Sequence, residues 1–136
     1  MPHLSFEFSR GLGKVADLDA LANDMRDALV ATGECPLGGI RVRGFEAQVQ
    51  AIADDAELYH FLDMVLRLGQ GRDDATRERI ADQLYQAVET ALHPQLGDIP
   101  FILSLDVQEI ETRTSRKSWS TIHAAIRERT ADDEKS

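Results

Sequence analysis

The feature that most constrains this chain is a strand–helix–strand pattern that runs through it twice. In the first segment Pro2, Leu4, Phe6 and Phe8 alternate with His3, Ser5 and Glu7. A period of two over such a stretch predicts a half-buried strand. Gly11 and Gly13 end it. Asp17 then opens a helix as an N-cap, with Leu18, Leu21, Ala22, Met25 and Leu29 on one stripe. Gly33 and Pro36 stop that helix, and a second extended stretch covers 39–52. Its regular part is Ile40 to Arg43, which puts Arg41 and Arg43 on one face and both aliphatics on the other.

From Leu58 the pattern restarts. Leu62, Met64, Leu66 and Leu68 form the apolar side of a third strand, and 69–72 turns the chain. Asp73 or Asp74 caps a helix carrying Ile80, Leu84, Val88 and Ala91, with Pro94 expected just beyond its end. A fourth strand starts near Phe101, and its alternation changes phase at Glu109 and Ile110, which suggests a bulge or the strand's end. Trp119, Ile122, His123 and Ile126 fit one helical stripe in a segment over about 119–129, and the last six residues are expected to fray. The expectation is one α+β domain over 1–136, built from internal repeats at about 2–52 and 58–111. Two such units predict a four-stranded mixed sheet with both helices on one face. The short carboxy-terminal helix is too small to cover the other face, so self-association is the expected cover.

Charge narrows the partners. Twenty-four acidic residues against fifteen basic ones leave a net charge of −9, which repels nucleic-acid phosphates and anionic membranes. No stretch reaches the roughly 20 apolar residues of a membrane helix, and the alternating amino terminus does not read as a signal peptide. The expected compartment is the cytoplasm. The single cysteine, Cys35, excludes an intrachain disulfide and reads as a small structural residue. An anionic substrate would need specific arginines working against the overall field.

Common catalytic constellations are missing. His3, His60, His93 and His123 lack metal-ligand spacing, and no nucleophile elbow or phosphate loop is present. Met1-Pro2 at the start of a strand is different. Removal of Met1 would leave a secondary amine, and an α-amino group titrates near neutrality, at about 7.7–8.0. Burial and nearby cations favour its neutral, basic form. By itself the dipeptide is weak evidence, since many chains begin this way without using the proline. Arg41 opens the second strand and Arg72 follows the third; both strand ends can converge on a pocket, where arginine grips carboxylates by paired hydrogen bonds. Spacing alone does not choose between Arg41 and Arg43.

Three motifs carry a family resemblance: M-P-H at the start, A-T-G-x-x-P-L-x-G-I-R-x-R at 31–43, and L-x-L-G-x-G-R at 66–72. Together with the A-D-D turn at 53–55, they resemble the 5-carboxymethyl-2-hydroxymuconate isomerase family of the tautomerase superfamily, from Met1 to about Glu111. The resemblance implies a duplicated β-α-β tautomerase fold, assembled as a homotrimer. It implies Pro2 as the catalytic acid/base, Arg41 and Arg72 as substrate-binding residues, and no metal or cofactor. The implied reaction is a keto–enol isomerisation of a small unsaturated dicarboxylate in aromatic catabolism. Phe61 falls in the second repeat where a free proline would sit, so each subunit would carry one base.

The chain departs from the family pattern at Arg10-Gly11, at Asp63-Met64 and in 115–123. Arg10 is a candidate third anion contact. The alternative reading is a non-catalytic, small-molecule-binding α+β module, since this element order also serves ligand sensors. A purely structural oligomer is a third possibility.

Overall fold

The structure, a computed structural model, describes residues 2–135. Its elements run β1 (His3–Phe8), α1 (Leu18–Ala31), β2 (Arg41–Glu46), β3 (His60–Gly69), α2 (Asp74–Leu96), β4 (Phe101–Ile110) and α3 (Ile122–Lys135). The four strands form one mixed sheet in the order β2-β1-β3-β4. β1 pairs parallel with β2 and β3 parallel with β4, while β1 and β3 join the two units antiparallel. Each parallel pair is bridged by a helix, as a parallel crossover requires. The expected α+β arrangement of two β-α-β units is the observed one.

Alternation decides which face is dry. Leu4 and Phe6 of β1 and Leu62, Met64, Leu66 and Leu68 of β3 are buried on one side of the sheet. They form a single core with Leu21, Met25 and Leu29 of α1 and Ile80, Leu84, Val88 and Leu92 of α2. Both helices therefore cover the same face. Each starts as its sequence dictates: Asp17 and Asp73 accept from the backbone N–H three residues on, at 3.0 and 2.8 Å. Gly44 of β2 lies opposite Phe6, whose ring occupies the space a Cβ would need.

Three expectations shift, and a choice between two alternatives closes. β2 ends at Glu46 rather than continuing to residue 52, and Ala53 and Asp55 take positive φ values of 52° and 51° in the following turn. Pro94 sits inside α2, not beyond it. In the last turn a proline forfeits one helical bond, and the buried Leu92 and Leu96 on the stripe hold that turn against the core. The phase change at Glu109-Ile110 marks the end of β4 without a bulge, because register with β3 is unbroken through Gly69↔Ile110. The last helix begins at Ile122, leaving Trp119 95% exposed in the segment before it, and continues to Lys135 where fraying was expected. Met1, whose removal the proline reading requires, and Ser136 lie outside the described residues.

Candidate active site

Strand direction gathers the candidate residues at one edge of the sheet. β1 and β2 both start there, and β3, running antiparallel, ends there. Pro2 is buried at that edge, and its carbonyl accepts from the backbone N–H of Arg41 at 3.2 Å. His3 is flanked in register by Arg41 on one side and Arg67 on the other. Side chains directly opposite one another share a face, so His3, Arg41, Arg43 and Arg67 all project from the side of the sheet without helices.

The turn that delivers Arg41 is tightly packed. Residues Leu37–Gly39 form one 3₁₀ turn, and Gly38 and Gly39 are buried. A Cβ on Gly38 would collide with the ring of His123 from α3. The carboxy-terminal helix thus seats on the chain just before β2 and fixes its entry into the sheet.

Arg41 Nη2 lies 3.1 Å from His3 Nε2. An arginine only donates, so Nε2 must accept, which places the neutral ring's proton on Nδ1. Burial, then Arg41, Arg67 and Arg43, lower the His3 pKa to about 4. The ring therefore stays neutral at physiological pH, and Nδ1 is buried with no hydrogen-bond partner.

Arg72 comes to the same edge but is more constrained. Its Nη1 donates to the Gly69 carbonyl at 3.1 Å and its Nη2 to the Glu34 carbonyl at 2.8 Å. The Glu34 carboxylate is 3.9 Å from its Nε and also pairs with Arg79 at 3.1 Å. Arg72 therefore ties the exit of β3 to the loop before β2, with 20% of its side chain exposed. Cys35, beside Glu34, is buried, and burial pushes its thiol pKa up, which suits a packing role.

Two other candidates lie elsewhere. Arg10 follows the far end of β1, where its Nη1 donates to the Gln48 carbonyl at 3.3 Å. Residues 2 to 8 alone span about 20 Å in a strand, so Arg10 is no third contact for the Pro2 edge of its own chain. Asp63 stands opposite Glu7 toward that same far end and accepts from Ser104 Oγ at 2.6 Å.

Sequence reasoning missed one buried pair. Ser9 Oγ is 2.6 Å from His60 Nδ1, with both residues at most 2% exposed. Ser9 Oγ also accepts from the Phe61 N–H at 3.1 Å, so the pair clasps the end of β1 to the start of β3. A separation of 51 residues hides it from any local pattern. His3 and Arg67 were likewise invisible as a pair, although alternation placed each on its face. Among the described residues no group of His, Cys, Asp and Glu is arranged to hold a metal ion. No helix among them is long and apolar enough to cross a membrane.

The sequence model of the 5-carboxymethyl-2-hydroxymuconate isomerase family matches residues 2–126, nearly the whole chain. The chain belongs to this family. It is 28% identical over 127 residues to the 5-carboxymethyl-2-hydroxymuconate Delta-isomerase of Escherichia coli, covering 93% of this chain and all of the relative. A crystal structure of a 5-carboxymethyl-2-hydroxymuconate delta-isomerase superposes with a TM-score of 0.83 at 26% identity, covering 93% of each chain. The isomerase from Deinococcus radiodurans R1 gives 0.82 at 25% identity, covering 92% of this chain and 93% of its own. More distantly, a fused 4-OT described as a symmetric trimer shares the fold, with a TM-score of 0.62 at 18% identity over 87% of this chain and 93% of its own. The chain is an isomerase of the tautomerase superfamily.

Proposed function

We propose that this isomerase converts 5-carboxymethyl-2-hydroxymuconate, or a related unsaturated dicarboxylate of aromatic catabolism, between its enol and keto forms, with the Pro2 amine as acid and base. The observation that carries the reading is the placement of Pro2: it is buried at the start of β1, against the backbone of Arg41. With Met1 removed, the ring nitrogen would open on this edge among cations and apolar strand ends, conditions that favour an uncharged amine.

In the proposed reaction the Pro2 nitrogen takes the proton of the 2-hydroxyl group. The O–H bonding pair becomes the new carbonyl π bond, the diene electrons shift along the chain, and the same nitrogen returns a proton to a distant carbon. No cofactor is required for this exchange. Arg41 would hold a carboxylate and stabilise negative charge as it develops on oxygen. Arg72 keeps one hydrogen on each terminal nitrogen beyond those given to the Gly69 and Glu34 carbonyls, and those remain for substrate.

The assembly proposed is a homotrimer in the cytoplasm. Its support is the helix-free face of the sheet, where Phe45 and Ile102 are 55% and 65% exposed, together with the trimeric 4-OT relative. The experiment pairs intact mass with ultraviolet monitoring of 2-hydroxymuconate ketonisation. Mature protein should lack Met1 and turn over substrate; Pro2→Ala should cut turnover by on the order of 10²–10⁴, and Arg41→Ala should weaken it by less. Full activity in protein that retains Met1 would sink the proposal.

A further inference from the structure

Segment 115–121 departs from the family pattern, and the fold gives it a place but no packing role. Residues 111–122 are all exposed. Among the described residues, the hydrogen bonds of 115–121 run only within 112–121 and to Ala125. Both ends of the segment are nevertheless fixed. Thr112 donates to Gln70 Oε1 through its N–H at 3.2 Å and its Oγ1 at 2.6 Å, in the turn after β3. His123 lies on Gly38, in the turn before β2. β1 stands between β3 and β2, so Pro2 at its start lies between the two anchors. Those anchors are two strand spacings apart, about 10 Å, whereas the chain from 112 to 123 reaches about 36 Å when extended. A strap with that much slack can stand away from the strand ends or lie down across them.

Trp119 is the large apolar side chain on this strap, and it is 95% exposed. It stands four residues before His123, so its Cα lies no more than about 14 Å from that anchor. Tryptophan is highly buried on average, and an indole held in water gains by being covered. We propose that Trp119 covers the substrate: the strap closes across the Pro2 edge when ligand binds, laying the indole on the ligand's unsaturated carbon chain and shutting water away from the Pro2 nitrogen. The indole meets those carbons only when ligand is bound, so the ligand itself favours the closed arrangement. Expelling water also disfavours the charged form of the amine, which the proposed base needs. Both anchors sit at strand ends, so closure leaves the helix-free face of the sheet to subunit assembly. What lies beneath the strap rests on the isomerase reading; the closure itself does not.

Trp119 is the chain's single tryptophan, so protein fluorescence excited at the indole reports on it alone. Emission and acrylamide quenching are followed on the mature protein as hexanedioate, a transparent six-carbon diacid, is added to saturation. Emission should move to the blue and quenching should weaken severalfold as the indole leaves water. Trp119→Ala should keep its thermal midpoint, because an exposed side chain adds little packing, yet lower kcat/KM by about tenfold, the scale of one aromatic contact. Trp119→Phe should recover most of that loss. In Trp119→Ala the acid limb of the kcat profile should also move to higher pH, because a wetter amine holds its proton more tightly. An unchanged kcat/KM and pH profile in Trp119→Ala would overturn the proposal. So would an indole already shielded without ligand, with Trp119→Ala falling to smaller species in sedimentation, since the side chain would then be packed on a neighbouring copy. Shielding of Trp119 by hexanedioate in a wild type that shows no turnover would refute the isomerase reading and leave the closure standing.

Discussion

The two β-α-β units share a plan but differ in size and in what stands at their openings. Each has a parallel strand pair, a helix on the same face, and an aspartate N-cap bonded to the third residue of its helix. The first unit has six-residue strands and a 14-residue helix, whereas the second has ten-residue strands and a 23-residue helix. The first opens at Pro2, which is buried against the backbone of Arg41. The second opens at His60, whose ring is buried and bonded to Ser9. The scaffold is thus present twice, while the amine proposed as the base would belong to the first unit alone. The second unit contributes to the proline edge from the other end of its strand, through Arg67 and Arg72.

This contrast can be broken most directly at Pro2. Pro2→Ala should lower kcat/KM by on the order of 10²–10⁴, the usual worth of a positioned acid/base, with little change in thermal midpoint. His60→Gln in the second unit should do the reverse, lowering the melting midpoint while kcat per folded molecule holds. Steady-state kinetics and thermal melts on both variants decide this; equal kinetic losses would mean that the units are not chemically distinct.

Next in size are core truncations. Met25→Ala under the first unit and Val88→Ala under the second both act on fully buried residues of one cluster. Urea unfolding should show a loss of about 2–5 kcal/mol for the methionine and a smaller one for the valine, each in a single transition. Two separate transitions would mean that the halves fold independently. Gly44→Ala should follow, at about 1–3 kcal/mol, because the added methyl meets the Phe6 ring.

A further test separates the two histidines by pH. His3 has its pKa lowered to about 4 by burial and its arginine neighbours, and burial alone lowers that of His60. As pH falls below the ordinary value of about 6.5, the unfolded chain binds protons that the folded one refuses, so stability drops. For His3 the loss runs from about 6.5 down to about 4 and then levels off. Urea midpoints across this range should decline, and His3→Gln should flatten part of the slope, leaving the His60 share. An unchanged slope would contradict a neutral His3.

Much of the fold was legible because alternation and helical periodicity are local. Leu4 and Phe6, Leu62 through Leu68, and the stripes ending at Leu29 and Val88 all took the faces their spacing dictates. Asp17 capped as expected, and of the two candidates Asp73 and Asp74 the first caps, since a cap needs only its next three residues. Pro94 was misread because its cost is local, while the hold of Leu92 and Leu96 on the core is not. Arg10 shows the opposite: nearness to Pro2 in sequence means distance along an extended strand, so within its own chain it stands away from that edge.

The sequence by itself determined the repeated units, the buried face of each strand and the place of Pro2 at the start of the first strand, because these follow from spacing along one segment. Only the tertiary structure decided that β3 runs antiparallel to β1, and hence that Arg67 stands beside His3 and Arg41 while Asp63 lies at the far end. Register between strands is set by packing the whole core at once, and no single segment carries that information.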